Sequence, residues 1–402
     1  MKSPFISVIM PVYNGESFVA EAVESVLSQT FTDFEMIIIN DASTDRTADI
    51  LEAYQDPRIV VVHNKANLRV ASSLNKGILL AKGTYIVRMD ADDRCMPERF
   101  AKQVAFMERN PDCAVCSSSV RIMGSNRIVS FPMNHEEISS HLVFYCCIAH
   151  PTVMLRKEAI FEFSLLYSAN MKEAEDYELW TRASRLVDMH VLEEPLLEYR
   201  LHPNQATVRG FQEMNRLVDQ IRKQQLLRLD VVPTDDEYRV HRLVCDGAAA
   251  VYQSTTPAVT ADYSAVQQWI KHLIERNRMK KVFDLSSFED FLLAYSQRAK
   301  IAHERLDKLK EVSSSRVVWI WGTGANAGVT LETLQKYGVD IGGFIDNNST
   351  KWGTLFEGLP VVEPTKVTSN AYVLICSMYS REISKQLNDM GFEVHTDFLP
   401  EI

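Results

Sequence analysis

The chain has 402 residues, 46% hydrophobic and 24% charged, so it can bury more than one core and shows neither a low-complexity run nor a disordered-tail composition. Its 43 Lys and Arg against 53 Asp and Glu give a net charge of -10, which excludes a basic nucleic-acid-binding surface and leaves any nucleotide partner dependent on local cations. Apolar stretches shorter than the ~18 residues of a membrane span, an N-terminal apolar run that stops at Pro11, and an odd seven cysteines give the expectation of a cytoplasmic protein, with peripheral association at the inner face of the membrane left open.

From Phe5 to about Met123, short Val/Ile-rich runs (ISVIM, EMIIIN, RIVVVHN, TYIVRM) alternate with amphipathic ones (SFVAEAVESVLSQ, DRTADILEAYQ, VASSLNKGILLAK, PERFAKQVAFMERN). That alternation predicts βαβ units, hence an α/β fold with a mainly parallel sheet covered by helices on both faces. Ligands of such sheets lie beyond the carboxyl ends of the strands. The residues found there are Pro11, Tyr13 and Asn14, then Asp41, then His63 and Asn64, then Asp90, Asp92 and Asp93. The segment from His135 to His202 reads as an extension of the same domain, with a helix near Asp176 and a β-like LLEYRLH. Apolar spacings of three and four make 211–312 a helical region, and Ser313-Ser314-Ser315 marks a boundary before a second, smaller α/β unit. The expected domains are therefore 1–210, 211–312 and 313–402.

Carboxylates directly after an apolar strand need solvent or a cation. Mg²⁺ and Mn²⁺ bind through one or two carboxylates together with phosphate oxygens, so Asp90, Asp92 and Asp93 are candidate ligands, the alternative being a helix cap ahead of Pro97. Arg88, inside a buried strand, needs an anionic partner, which Asp90 or a bound nucleotide would supply. Cys113 and Cys116 form a CxxC in a strand-like run with no second ligand pair, and are read as buried strand cysteines, as are Cys146 and Cys147.

The series SVIMPVYNGESFVAEAVESVLSQTFTDFEMIIINDASTD, NLRVASSLNKGILLAKGTYIVRMDADD and EDYELWTRA resembles, in order and spacing, the family 2 glycosyltransferases of the GT-A type, over roughly the first 205 residues. The resemblance implies that Pro11, Tyr13 and Asn14 line a nucleotide pocket, that Asp41 bonds the base, and that Asn75 and Arg88 flank the nucleotide. It further implies that Asp90 touches the ribose or the metal, with Asp92 the main ligand of Mn²⁺ or Mg²⁺ and His202 completing the metal site or contacting the diphosphate. Asp176 would be the general base, with Glu175 supporting it, and His150 would lie on the acceptor side. For Tyr13, Asp41, Asn75, His150 and His202, purely structural roles stand beside these. The implied reaction moves a hexose or N-acetylhexosamine, with inversion, from a UDP-sugar donor to a hydroxyl of a glycan or lipid-linked saccharide in cell-surface polysaccharide synthesis.

In the C-terminal unit, Gly322 and Gly324 follow the strand VVWIW, and Asp346 follows GGFI, which fits a dinucleotide fingerprint and a Rossmann-like domain. Such a unit would bind a nucleotide or serve as a docking or homo-oligomerisation piece. An NAD-dependent oxidoreductase and a non-catalytic sugar-nucleotide-binding scaffold are the competing functions.

Overall fold

The computed structural model describes residues 3–202, 211–253, 263–368, 370–377 and 379–399. It divides into two compact units, Met1–Val232 with Arg276–Phe291, and Pro233–Glu275 with Leu292–Ile402. The helical segment is shared between them, because the helices Tyr263–Lys280 and Leu285–Ser313 each contribute to both.

In the first unit the chain runs β1 (Ile6–Val12), α1 (Val19–Leu27), β2 (Phe34–Asn40), α2 (Thr47–Glu52), β3 (Ile59–His63), α3 (Arg69–Leu80) and β4 (Tyr85–Arg88). Next come β5 (Arg94–Cys95), α4 (Arg99–Arg109), β6 (Cys113–Ile122), β7 (Ile128–Val129), α5 (His135–His141), β8 (Met154–Arg156), α6 (Lys157–Glu162), α7 (Glu175–Ala183) and β9 (Asp188–Tyr199). The order β3-β2-β1-β4-β8-β6-β9-β5 makes one nine-stranded sheet, with β7 beside β6. Strands β1 to β4 pair in parallel, so the loops after β1, β2 and β4 open on one edge, where the sequence pattern places ligands.

The parallel strands are apolar on both faces because helices cover both, and Ile6, Val8, Met10, Met36, Ile38 and Val87 are all fully buried. Helix α3 lies close on β1 because Gly77 has no side chain: a Cβ there would sit 2.4 Å from Ile9 Cγ2. Beyond β4 the sheet turns mixed. Strand β8 pairs antiparallel with both β4 and β6, and β5 pairs antiparallel with β9. That last short pairing brings the segment before Arg94 against the end of β9.

In the second unit β10 (Val317–Trp321) is central, between β11 (Ile341–Ile345) and β14 (Ala371–Ile375). Strand β13 (Leu359–Val362) flanks β11, β15 (Phe398–Leu399) flanks β14, and the short β12 (Leu355–Phe356) closes one edge antiparallel. All the other pairings are parallel. Among the described residues no helix is long and apolar enough to cross a membrane.

Candidate active site

The edge formed by the carboxyl ends of the parallel strands collects three groups of side chains. The first lies after β1 and β2. Pro11 pairs within β1, Tyr13 stands 49% exposed beyond it, and Asn14 takes a left-handed conformation, φ 53°. The Asn14 side-chain Oδ1 accepts from the Thr44 backbone N–H at 2.8 Å, while the Asn14 backbone N–H donates to Ser43 Oγ, so Asn14 staples the two loops together. Asp41 is 3% exposed and caps no helix. Its carboxylate instead holds the approach to α3, accepting from Asn64 Nδ2 at 2.7 Å and from the N–H groups of Leu68 and Arg69 at 2.8 Å each. Two oxygens offer about four acceptor sites, so one remains for a ligand.

The second group follows β4. Arg88, buried, pairs with Asp90. The carboxylates of Asp90, Asp92 and Asp93 offer oxygens that all lie within 4.8 Å of one another. They do not cap α4, whose N-cap is Glu98. The end of β9 closes over them: Arg200 N–H donates to Asp93 Oδ1 at 2.9 Å, Arg200 Nε to the Asp92 carbonyl at 2.7 Å, and His202 Nε2 stands 2.9 Å from Asp92 Oδ2. Burial, against the opposing pull of Arg88, pushes Asp90 up to about 6, and the charge of Asp92 adds to the rise. Asp93 rises well above the carboxylate range from burial and the charges of Asp90 and Asp92, and its Oδ2 is buried with no hydrogen-bond partner. Crowded carboxylates of this kind form an oxygen donor set that a divalent cation would fit, with the His202 imidazole at its margin.

The third group surrounds α7. Ala174 is its N-cap, so Glu175 and Asp176 occupy the first turn without capping it, at the positive end of the helix dipole. Asp176 Oδ1 accepts from the Tyr177 N–H at 2.7 Å, and the Cys146 thiol lies 3.7 Å from Oδ2. Burial raises both acids, Glu175 to about 7 with the neighbouring Asp176 charge contributing, while Arg88 pulls Asp176 back. Asp176 in turn raises Asp90, which places the α7 carboxylates within electrostatic reach of the cluster after β4.

Asn75 and His150 meet at a residue the sequence reading passed over. Asn75 is half-buried and its amide grips the main chain of Tyr167, donating to its carbonyl at 2.8 Å and accepting from its N–H at 2.9 Å. His150 Nε2 stands 2.8 Å from the Tyr167 hydroxyl, and burial together with Arg88 keeps this histidine neutral. No local pattern signals Tyr167, since its partners are 92 and 17 residues away.

Arg99 lies outside every motif of the sequence. Fully buried in α4, it donates Nη2 to the Arg88 carbonyl at 2.9 Å and Nε to Gln103 Oε1 at 3.1 Å, and Gln103 Nε2 donates to the Thr152 carbonyl at 2.8 Å. The signal available in the sequence was an arginine and a glutamine four apart on the apolar face of PERFAKQVAFM. Cys113 and Cys116 are buried in β6, as expected for strand cysteines, and Cys147 is buried. Cys146 departs from that reading: it is half-buried in the loop after α5, against Asp176.

In the second unit Gly322, φ 120°, ends β10 where a Cβ would meet the Cys376 carbonyl oxygen at 2.4 Å, so the glycine serves a close backbone approach. Gly324 is the N-cap of helix Ala325–Lys336. Asp346 Oδ2 is engaged by Thr323 and by Lys351 Nζ at 3.0 Å.

Comparison with known proteins matches residues 7–161 to the family described as Glycosyl transferase family 2, and residues 314–396 to one described as C2185-like, N-terminal. An uncharacterized glycosyltransferase of Haemophilus influenzae is 34% identical over 237 residues, 56% of this chain and 73% of that protein. The chain belongs to glycosyl transferase family 2. Another member, the O-antigen biosynthesis glycosyltransferase WbnJ of Escherichia coli, is 33% identical over 211 residues, 50% of this chain and 81% of its own. The crystal structure of S. aureus TarS 1-349 in complex with UDP-GlcNAc superposes with a TM-score of 0.50 at 15% identity, covering 75% of this chain and 92% of that one, a likeness of fold. The family 2 model match ends before α7, which carries the carboxylates at 175 and 176.

Proposed function

We propose that this family 2 glycosyltransferase moves a hexosyl or N-acetylhexosaminyl group, with inversion, from a UDP-sugar to a hydroxyl of a glycan or lipid-linked saccharide. The observation that carries this reading is the placement of Asp90, Asp92 and Asp93, with oxygens within 4.8 Å, inside the electrostatic reach of Asp176. The O-antigen role in the name of WbnJ and the UDP-GlcNAc bound by TarS support the product and donor classes.

In this reading Asp92, with Asp90 and His202, holds Mn²⁺ or Mg²⁺, which when bound neutralises charge on the departing diphosphate. Tyr13 and Asn14 line the nucleotide side, Asp41 offers its spare acceptor site to the base, and Arg88 fixes Asp90. Asp176 accepts the proton of the attacking hydroxyl as the new bond to the anomeric carbon forms and the old anomeric C–O bond breaks, its electron pair leaving with the diphosphate. Glu175 supports Asp176, and His150 with Tyr167 walls the acceptor side. We assign catalysis to 1–210, a helical region to 211–312, and a Rossmann-like role in homo-oligomerisation to 313–402. Work at the cytoplasmic face of the membrane fits a lipid-linked acceptor.

A thermal-shift panel of nucleotide sugars with and without Mn²⁺, followed by nucleotide-release assays, tests the proposal. Asp92→Asn should lose the Mn²⁺-dependent rise in melting temperature. Asp176→Asn should keep it while release slows about 10²–10⁴-fold. An Asp176→Asn protein with undiminished release would overturn the reading.

A further inference from the structure

The proposed base is held at both oxygens, and one of the two donors is a cysteine. Tyr177 N–H occupies Oδ1 at 2.7 Å, as a backbone group that no substitution removes except proline. Cys146 Sγ stands 3.7 Å from Oδ2 and 3.8 Å from the Ile148 carbonyl, so its single proton has two acceptors to choose from. An ionised carboxylate is the stronger acceptor of the two.

We propose that Cys146 is a positioning residue whose thiol donates a hydrogen bond to Asp176 Oδ2, fixing the carboxylate and favouring its ionised form. The inference rests on the reading of Asp176 as the general base, yet the bond itself can be tested without turnover. A donor must keep its proton to act, and here burial, with the nearby charges of Asp176 and Cys147, holds the Cys146 thiol well above its ordinary range. The same environment makes it a poor nucleophile, since the thiolate is the reactive form. Cys146 is thus suited to donating rather than attacking.

The other charged or titratable groups around Asp176 come from separate elements. Glu175 adjoins it on α7, Arg88 and Asp90 face it from the end of β4, and Tyr167 from the loop after α6. Arg88 and the thiol favour the carboxylate, whereas Glu175 and Asp90, when ionised, oppose it. Removing the thiol therefore tips the balance toward the protonated acid, which cannot accept a proton.

The test is a pH-difference infrared titration of the full-length, ligand-free protein. The Cys146 S–H stretch, assigned by its loss in Cys146→Ser, should weaken its hydrogen bond and move to higher frequency as Asp176 takes up a proton. In Asp176→Asn it should stop responding to pH. The Asp176 carboxyl band, assigned in the same way, should titrate about half to one pH unit higher in Cys146→Ala, while Cys146→Ser, which still offers a donor, restores most of the difference. An S–H band indifferent to both pH and Asp176→Asn would overturn the proposal, as would equal midpoints in Cys146→Ala and the wild type. Once Cys146→Ser has assigned the band, the wild-type titration decides the first point, whatever Cys146→Ala does to folding. Full turnover in Asp176→Asn would instead remove the base assignment and leave the bond standing.

Discussion

Asp41 offers the sharpest test of how this site is held together. Its carboxylate accepts three hydrogen bonds, from Asn64 Nδ2 and from the Leu68 and Arg69 N–H groups, and so ties the end of β2 to the start of α3. Arg69 has φ 68°, a left-handed conformation that costs a non-glycine residue roughly 1–2 kcal/mol and has to be repaid by its bonds. Bonds to a charged acceptor contribute about 1.5–3 kcal/mol each. In Asp41→Ala the freed Leu68 and Arg69 groups, at a half-exposed turn, recover water, whereas Asn64, buried, does not. The net loss should then be about 3–4 kcal/mol, a drop in melting temperature of roughly 6–16 °C for a unit of this size. Calorimetry together with urea unfolding measures it, and Asp41→Asn, which places an amide against a donor, should recover only part. A variant that melts within about 2 °C of the wild type while losing donor affinity would show that the carboxylate serves the ligand and not the loop.

Two other perturbations follow from burial. Glu175 ionises near 7 in the folded chain against an ordinary 4.5, so its contribution to stability is intact below 4.5 and drains away as pH rises through 7. Glu175→Gln should be neutral at pH 4 and stabilising by about 1–3 kcal/mol at pH 8 in denaturant titrations, and equal effects at both pH values would contradict the raised ionisation. Arg99→Lys loses the planar fork that serves the Arg88 carbonyl and Gln103 together, and should destabilise by about 2–4 kcal/mol. An unchanged unfolding midpoint would show that the fork is dispensable.

The parallel strands were legible because each is a short Val/Ile-rich run followed by a helix-period segment, and burial on both faces demands that composition. The edge residues after β1, β2 and β4 were legible for the same topological reason. What periodicity could not show is the use of each side chain once the chain closes on itself. Asp41 reads as a contact to the base, with a structural role beside it, and clamps the start of α3. Asn75 reads as a ligand contact, with a structural role beside it, and grips a main chain 92 residues away. Cys146 reads as packing and lies on a carboxylate. The β6–β9 pairing, with its register shifts near Val115 and Ser119, also lay beyond local pattern, since irregular long-range register leaves no repeat to count.

The two amides that fasten the segment from Thr152 to Tyr167 both hold peptide groups. Gln103 takes the carbonyls of Cys116 and Thr152, and Asn75 takes both polar atoms of the Tyr167 backbone. Handles of that kind exist on nearly every amino acid, proline at 167 being barred for want of an N–H. The stretch between these anchor points is therefore free to vary at its exposed positions, Glu158, Phe161, Glu162 and Ser164, whereas Val153, Met154, Leu155, Ile160 and Leu165 are held by the core.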